Sequence, residues 1–170
     1  MVHMQHALLR TLKLTPEPGG NAPRDADTTT AQPHPNVVAV SVEPETVDLS
    51  SGTAQVQVTL AISKGHHLNA FNPQLSLLVP TTLELEPTTD FQMHVRYPPA
   101  VNKRYPFAND PIHVYENTVV LVATIQKNNA ASLDTRDWPK LVLRYQACTD
   151  HSCLEPTQVH LPVTFAGQQP

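Results

Sequence analysis

Residues 53–62 read TAQVQVTLAI. Val56, Val58, Leu60 and Ile62 alternate with Gln55, Gln57, Thr59 and Ala61, the period of two that sends successive side chains to opposite faces of a half-buried strand. Upstream, Val38, Val40 and Val42 alternate in the same way with smaller or polar residues. Between the two runs, Glu43-Pro44-Glu45 and Ser50-Ser51-Gly52 supply turn chemistry.

Downstream, the same reading predicts strands at His67–Phe71, Leu75–Val79, Thr82–Leu85, Phe91–Tyr97, Val114–Gln126, Leu141–Ala147 and Val159–Phe165. They are separated by Pro, Asn, Asp and Gly turns with no helix between them. This pattern points to an all-β, antiparallel sandwich rather than a parallel sheet with crossover helices. The expected core positions are Val56, Val58, Leu60, Ile62, Val120, Val122, Leu141, Leu143, Tyr145 and Val163.

A chain of 170 residues holds one ordinary domain with a tail. Residues 36–166 form the expected domain. Before it, residues 1–35 read as a short helix followed by a linker. Met4, Leu8, Leu9 and Leu12 share a helical face, whereas Thr15–Pro35 holds five prolines, two glycines and no large apolar residue, too little to build a core. The helix is expected to be either the end of a preceding domain or a frayed N-terminus. Residues 1–14 lack both the apolar length and the small-residue cleavage site of a secretory signal.

Seventeen prolines and a charged share of only 15% suit a turn-rich β protein. A net charge of −4 without any run of Lys or Arg argues against nucleic acid as a partner. The longest apolar run, Val119–Ile125, is far below the roughly 20 residues a membrane-spanning helix requires, so no membrane insertion by this chain is expected.

The chemistry concentrates in LVLRYQACTDHSCLEP, residues 141–156, where an alternating strand runs into Cys148 and, after four residues, Cys153. These are the chain's two cysteines. Three uses are open to them. As a structural bridge, a loop this short contributes about 2 kcal/mol, against about 4–5 for a very long one. A sandwich of this size builds its own core without that staple, and a close pair at a strand end suits thiol–disulfide exchange. As metal ligands, Cys148, His151 and Cys153 make a Cys-x2-His-x-Cys cluster that His66, His67, His113 or His160 could complete for zinc or Cu(I). Structural zinc sites, however, draw paired ligands from two separated motifs, and one such cluster is present. Protonated, His151 would stabilise a thiolate beside it, while Asp150 would act the other way; taken alone, His151 reads first as a solvated loop residue.

In YQACTDHSCLEP (145–156), GHHLNAFNP (65–73) and HVYENTVVLVATI (113–125), with their order and spacing, the chain resembles the N-terminal periplasmic domain family of the thiol:disulfide interchange protein DsbD. The resemblance runs from about Asn36 to Phe165, and the Tyr-Gln-Ala-Cys…Cys-x-x-Pro segment is its most specific part. It implies an immunoglobulin-like domain outside the cytoplasmic membrane, a component of a protein-disulfide oxidoreductase. Such a domain takes reducing equivalents from a thioredoxin-like donor and passes them to oxidised extracytoplasmic partner proteins, with no bound cofactor.

By position the resemblance makes Cys153 the sulfur that forms mixed disulfides and Cys148 the one that resolves them. It also implies an aromatic cap loop, matched by Tyr105-Pro106-Phe107-Ala108-Asn109-Asp110, with Phe107 as the candidate cap and Tyr105 as the runner-up. His67, His151 and Tyr145 are the further candidates for shielding or tuning the pair. The chain departs from the family in three ways. Its inter-cysteine gap is one residue shorter, His66 and His67 replace paired aromatics, and the transmembrane and thioredoxin-like parts of longer members are not in this sequence. The remaining alternative is a noncatalytic accessory domain whose disulfide is structural.

Overall fold

The computed structural model describes residues 36–86, 90–128 and 138–166. The helix and linker expected over residues 1–35 lie outside them. Among the described residues the chain forms strands and no helix. In chain order these are β1 (Val38–Glu43), β2 (Thr46–Val47), β3 (Thr53–Ile62), β4 (His67–Asn69), β5 (Thr82–Leu85), β6 (Phe91–Arg96), β7 (Val101–Lys103), β8 (Ile112–Tyr115), β9 (Thr118–Lys127), β10 (Leu141–Tyr145), β11 (Ala147–Cys148), β12 (Thr157–His160) and β13 (Thr164–Phe165).

One antiparallel sheet runs β1-β3-β9-β6, and opposite it lies β12-β10-β5. Register explains the core. Val56 stands opposite Ala123, Val58 opposite Leu121 and Leu60 opposite Val119, so their side chains share the inner face. They bury against Leu83, Leu141, Leu143 and Tyr145 of the facing sheet in one continuous cluster. Each large side chain so buried contributes roughly 1.5–3 kcal/mol of hydrophobic stabilisation. Trp138 closes one end, stacked 5.3 Å from Phe165 and 6.3 Å from Phe91. The result is the expected immunoglobulin-like β-sandwich.

A smaller sheet, β11-β4-β8-β7, is made where strands change partners. β10 pairs with β5 and β12, but past Gln146 the chain pairs as β11 with β4. β8 pairs with β4 and β7, and β9 then joins the large sheet. Asn117 makes that last switch at φ 59°, a left-handed conformation that Asn tolerates better than most residues, and its carbonyl accepts the Ile62 N–H at 2.6 Å. Gly65 serves the same end before β4: with φ 84° it sits inside the turn closed by the His66 N–H on the Ser63 carbonyl, 3.0 Å.

Several expectations need correction. Val114–Gln126 is two strands broken at Glu116-Asn117, not one. Leu75–Val79 is a turn, closed by the Leu78 N–H on the Leu75 carbonyl at 3.1 Å, and Val101–Lys103 is a strand that the pattern did not reveal. Val159–Phe165 is interrupted because Pro162 has no N–H for a ladder and Val163 folds back onto the Leu161 carbonyl. In β9 the buried residues are Leu121, Ala123 and Ile125; Val120 is 37% exposed and Val122 half-buried. Val163 is likewise only partly buried at the edge of the core.

Candidate functional site

The small sheet carries the cysteine pair at its edge. Cys148 is the last residue of β11, and the chain turns back at once so that Cys148 and Cys153 face each other in an antiparallel bridge, Cα atoms 3.9 Å apart and sulfurs bonded. Thr149 shapes the turn. Its N–H donates to the Ser152 carbonyl at 2.7 Å, and its Oγ1 accepts the N–H groups of His151 and Ser152 at 3.3 and 3.1 Å. A Thr hydroxyl capping two successive amides is a turn device encoded locally in Thr149-Asp150-His151-Ser152.

Two polar residues that no sequence pattern singles out fix this hairpin to the domain. Gln146 donates from Nε2 to the Leu154 carbonyl at 3.1 Å, and its Oε1 accepts from Asn69 Nδ2 at 3.3 Å and from the Val79 N–H at 3.4 Å. Asn69 is buried, donates also to the Val79 carbonyl at 3.0 Å, and its own carbonyl accepts from Thr81 Oγ1 at 2.6 Å. The network ties the cysteine hairpin, β4 and the loop before β5 into one unit. Breaking it would leave buried amide groups without partners, at a cost of about 1–3 kcal/mol each. Both residues stand inside quoted motifs, yet only their fold neighbours give them this role.

The two sulfurs are not equivalent. Cys148 is 2% exposed, whereas Cys153 is an exposed residue. Both line a cleft of about 230 Å³ that also takes in Leu77, Leu78 and Ile112. Of the other candidates, His67, Tyr105, Phe107 and His151 line the same cleft. Tyr145 does not: it is fully buried in the main core on β10.

The aromatics stand on the loop between β7 and β8. Phe107 is 66% exposed and stacks on the buried Tyr105 ring at 5.3 Å. The Tyr105 hydroxyl in turn lies 3.1 Å from Nε2 and 3.3 Å from Nδ1 of His67, with the rings 5.4 Å apart. His67 is 4% exposed. Burial, reinforced by the charge of Lys103 and by His66 and opposed by Asp150 and Glu116, holds its pKa below the usual histidine value. Burial also pushes the Tyr105 phenol up, partly offset by Lys103. Lys103 is engaged by an ion pair with Glu116, a contact from β7 to the turn after β8 that the sequence did not disclose.

The remaining histidines of the metal reading do not converge. His113 Nδ1 lies 2.9 Å from the Asn72 carbonyl, His160 Nε2 contacts Glu86 at 2.5 Å on the far ladder, and His66 is not a lining residue of the cleft. Among the described residues no group of three or more His, Cys, Asp or Glu side chains is arranged to hold a metal ion. In the disulfide both sulfurs are committed to each other.

The family described as thiol:disulfide interchange protein DsbD, N-terminal, matches residues 36–164. Among solved structures, the N-terminal periplasmic domain of ScsB from Proteus mirabilis is similar with a TM-score of 0.56 and 16% identity, covering 77% of this chain and 48% of that one. The reduced DsbD N-terminal domain of Neisseria meningitidis is similar at a TM-score of 0.43 and 17% identity, covering 64% of this chain and 75% of that one. The chain thus spans about half the length of the ScsB structure it matches. No curated protein sequence matches at a significant level.

Proposed function

The chain belongs to the DsbD N-terminal domain family over residues 36–164, and from that membership we propose that it relays reducing equivalents, outside the cytoplasmic membrane, from a thioredoxin-like donor to oxidised partner proteins. The family is one of thiol:disulfide interchange modules, so the proposal concerns the direction of transfer and the roles of single residues. The observation that carries it is the asymmetry within the pair: one sulfur-bearing residue exposed, the other 2% exposed, both on one cleft.

Exchange needs an accessible thiolate to attack a partner's disulfide and a second thiol, already in place, to displace the reduced partner. In the reduced domain Cys153 takes the first role and Cys148 the second. Cys153 bonds to one sulfur of the acceptor, the acceptor's own S–S bond breaks, and Cys148 then closes the intramolecular disulfide while the acceptor leaves with both thiols reduced. The donor regenerates the dithiol by the reverse sequence. Phe107, above Tyr105 on the loop that borders the cleft, is the cap that keeps stray thiols out until a partner docks.

The relay is tested with Cys148→Ala carrying thionitrobenzoate on its remaining thiol, mixed with a thioredoxin-like donor reduced to its attacking cysteine alone. A covalent heterodimer linked through Cys153, dissolved by dithiothreitol, is the expected product. Exchange of the thionitrobenzoate with small thiols, and never with the donor, would sink the relay.

A further inference from the structure

We propose that His67 is the general base that ionises Cys148 for the second half of the exchange, an inference that rests on the relay reading above. The geometry is that of neighbouring strands. In the β4–β11 ladder His67 is the direct partner of Cys148, and opposed residues of an antiparallel pair project to the same face with Cβ atoms about 4.5–5.5 Å apart. On its other side Cys148 faces Cys153. His67, Cys148 and Cys153 therefore stand abreast across three successive segments of backbone, and all three line the cleft.

Cys148 needs such help and Cys153 does not. A buried thiol resists ionisation because its thiolate loses solvation, so a Cys148 that is 2% exposed is a poor nucleophile at neutral pH unless a base stands beside it. Imidazole is suited to the task only when neutral, and the burial of His67 keeps it in that form. Once the proton has moved, thiolate and imidazolium stabilise each other in the same low-dielectric setting. Tyr105 completes the arrangement. Its oxygen is within hydrogen-bond distance of both ring nitrogens, so it accepts from whichever nitrogen carries the proton and holds the ring in place beside Cys148. Nucleophile, base and orienting group then follow the order used by other activated thiols.

Cys148 Sγ–H gives its proton to His67, and the thiolate forms a bond to Cys153 Sγ. The bond from Cys153 to the partner's sulfur breaks, and its electron pair leaves on that sulfur, which takes the proton from the imidazolium. Over both steps the domain loses two electrons and the partner's disulfide gains two. The other charged or titratable groups around His67 are His66 beside it, Lys103 of β7, Glu116 after β8, Tyr105 of the aromatic loop, and Asp150 and His151 of the hairpin. Of these, Lys103, Asp150, Glu116 and His66 shift its titration, and none occupies the ladder position opposite Cys148.

The experiment uses the reduced protein and dithiobis(nitrobenzoate), in which attack and resolution each release one thionitrobenzoate. Exposed Cys153 gives the first release and Cys148 the second. In His67→Gln, and in His67→Phe as a second packing variant, the first release is expected to be unchanged and the second slowed about 100-fold at neutral pH, the lower range for general base catalysis. The pH profile is the diagnostic readout. The second release should be nearly flat above neutrality in the wild type, whereas in the variants it should climb with pH toward the ionisation of a buried thiol. Identical second-phase rates and profiles in folded wild type and His67→Gln would overturn the proposal, as would a wild type with no second release. Loss of the first release in the wild type would instead count against Cys153 as the attacking sulfur, and so against the relay.

Discussion

Replacing Cys153 with Ser is expected to abolish thiol–disulfide exchange while leaving the sandwich folded. The sulfur that remains belongs to Cys148, which is 2% exposed on the inner side of the hairpin, so it offers a partner's disulfide very little accessible surface. Burial also weakens it as a nucleophile by disfavouring its thiolate. The fold loses only the constraint of a very short loop, about 2 kcal/mol, against a total stability of roughly 5–15 kcal/mol for a domain of this kind. No exchange with the donor should be detectable by alkylation mass shift, and the far-ultraviolet circular dichroism should be unchanged. Wild-type exchange rates in Cys153→Ser would show that the buried cysteine does the work assigned here to the exposed one.

Phe107→Ala is expected to speed reduction of the disulfide by dithiothreitol about three- to tenfold. The ring is 66% exposed, and among the described residues its one aromatic contact is the stack on Tyr105. Such a pair holds roughly 0.5–1.5 kcal/mol beyond its buried area, and its loss multiplies the open state of the loop by the corresponding factor, with 1.4 kcal/mol equal to tenfold. Because the side chain is mostly in solvent, the loss in overall stability should not exceed this same range of about 0.5–1.5 kcal/mol. A rate equal to wild type would remove Phe107 from any shielding role and leave Tyr105, stacked beneath it and joined to His67, as the remaining candidate.

Much of the fold is legible from period-two runs where one face is polar. TAQVQVTLAI declares its phase because Gln55, Gln57 and Thr59 can only face outward, and it folds with Val56, Val58, Leu60 and Ile62 buried. The run Val119–Ile125 is apolar on both faces, so periodicity cannot choose a phase. The choice is made by pairing, which puts Leu121 opposite Val58 and sends Val120 outward. The break at Glu116-Asn117 had a local signal, a polar pair with an Asn able to take φ 59°, overridden by the apolar residues on either side. The turn at Leu75–Leu78 had none, since Leu75, Leu77 and Leu78 read as strand and are held in a turn beside the cleft.

At the site, the cysteines, the aromatic loop and His67 were visible as motifs, but their mutual placement was not. Nothing in the order of residues says that His67 pairs with Cys148 across β4 and β11, or that Asn69 and Gln146 clamp the hairpin. Those facts depend on which strands become neighbours, and that is settled by the whole core. Tyr145 illustrates the converse. It stands in the most family-specific motif, yet its side chain belongs to the main core and not to the cleft.

The central claim is that Cys148–Cys153 is a working redox couple and not a staple. Its most direct test is the reduction potential, obtained by equilibrating the protein in graded thiol–disulfide buffers and counting free cysteines by alkylation. A relay requires a potential above about −300 mV, where labile and catalytic disulfides lie. A value well below about −300 mV, the range of structural bridges in secreted proteins, would contradict the account.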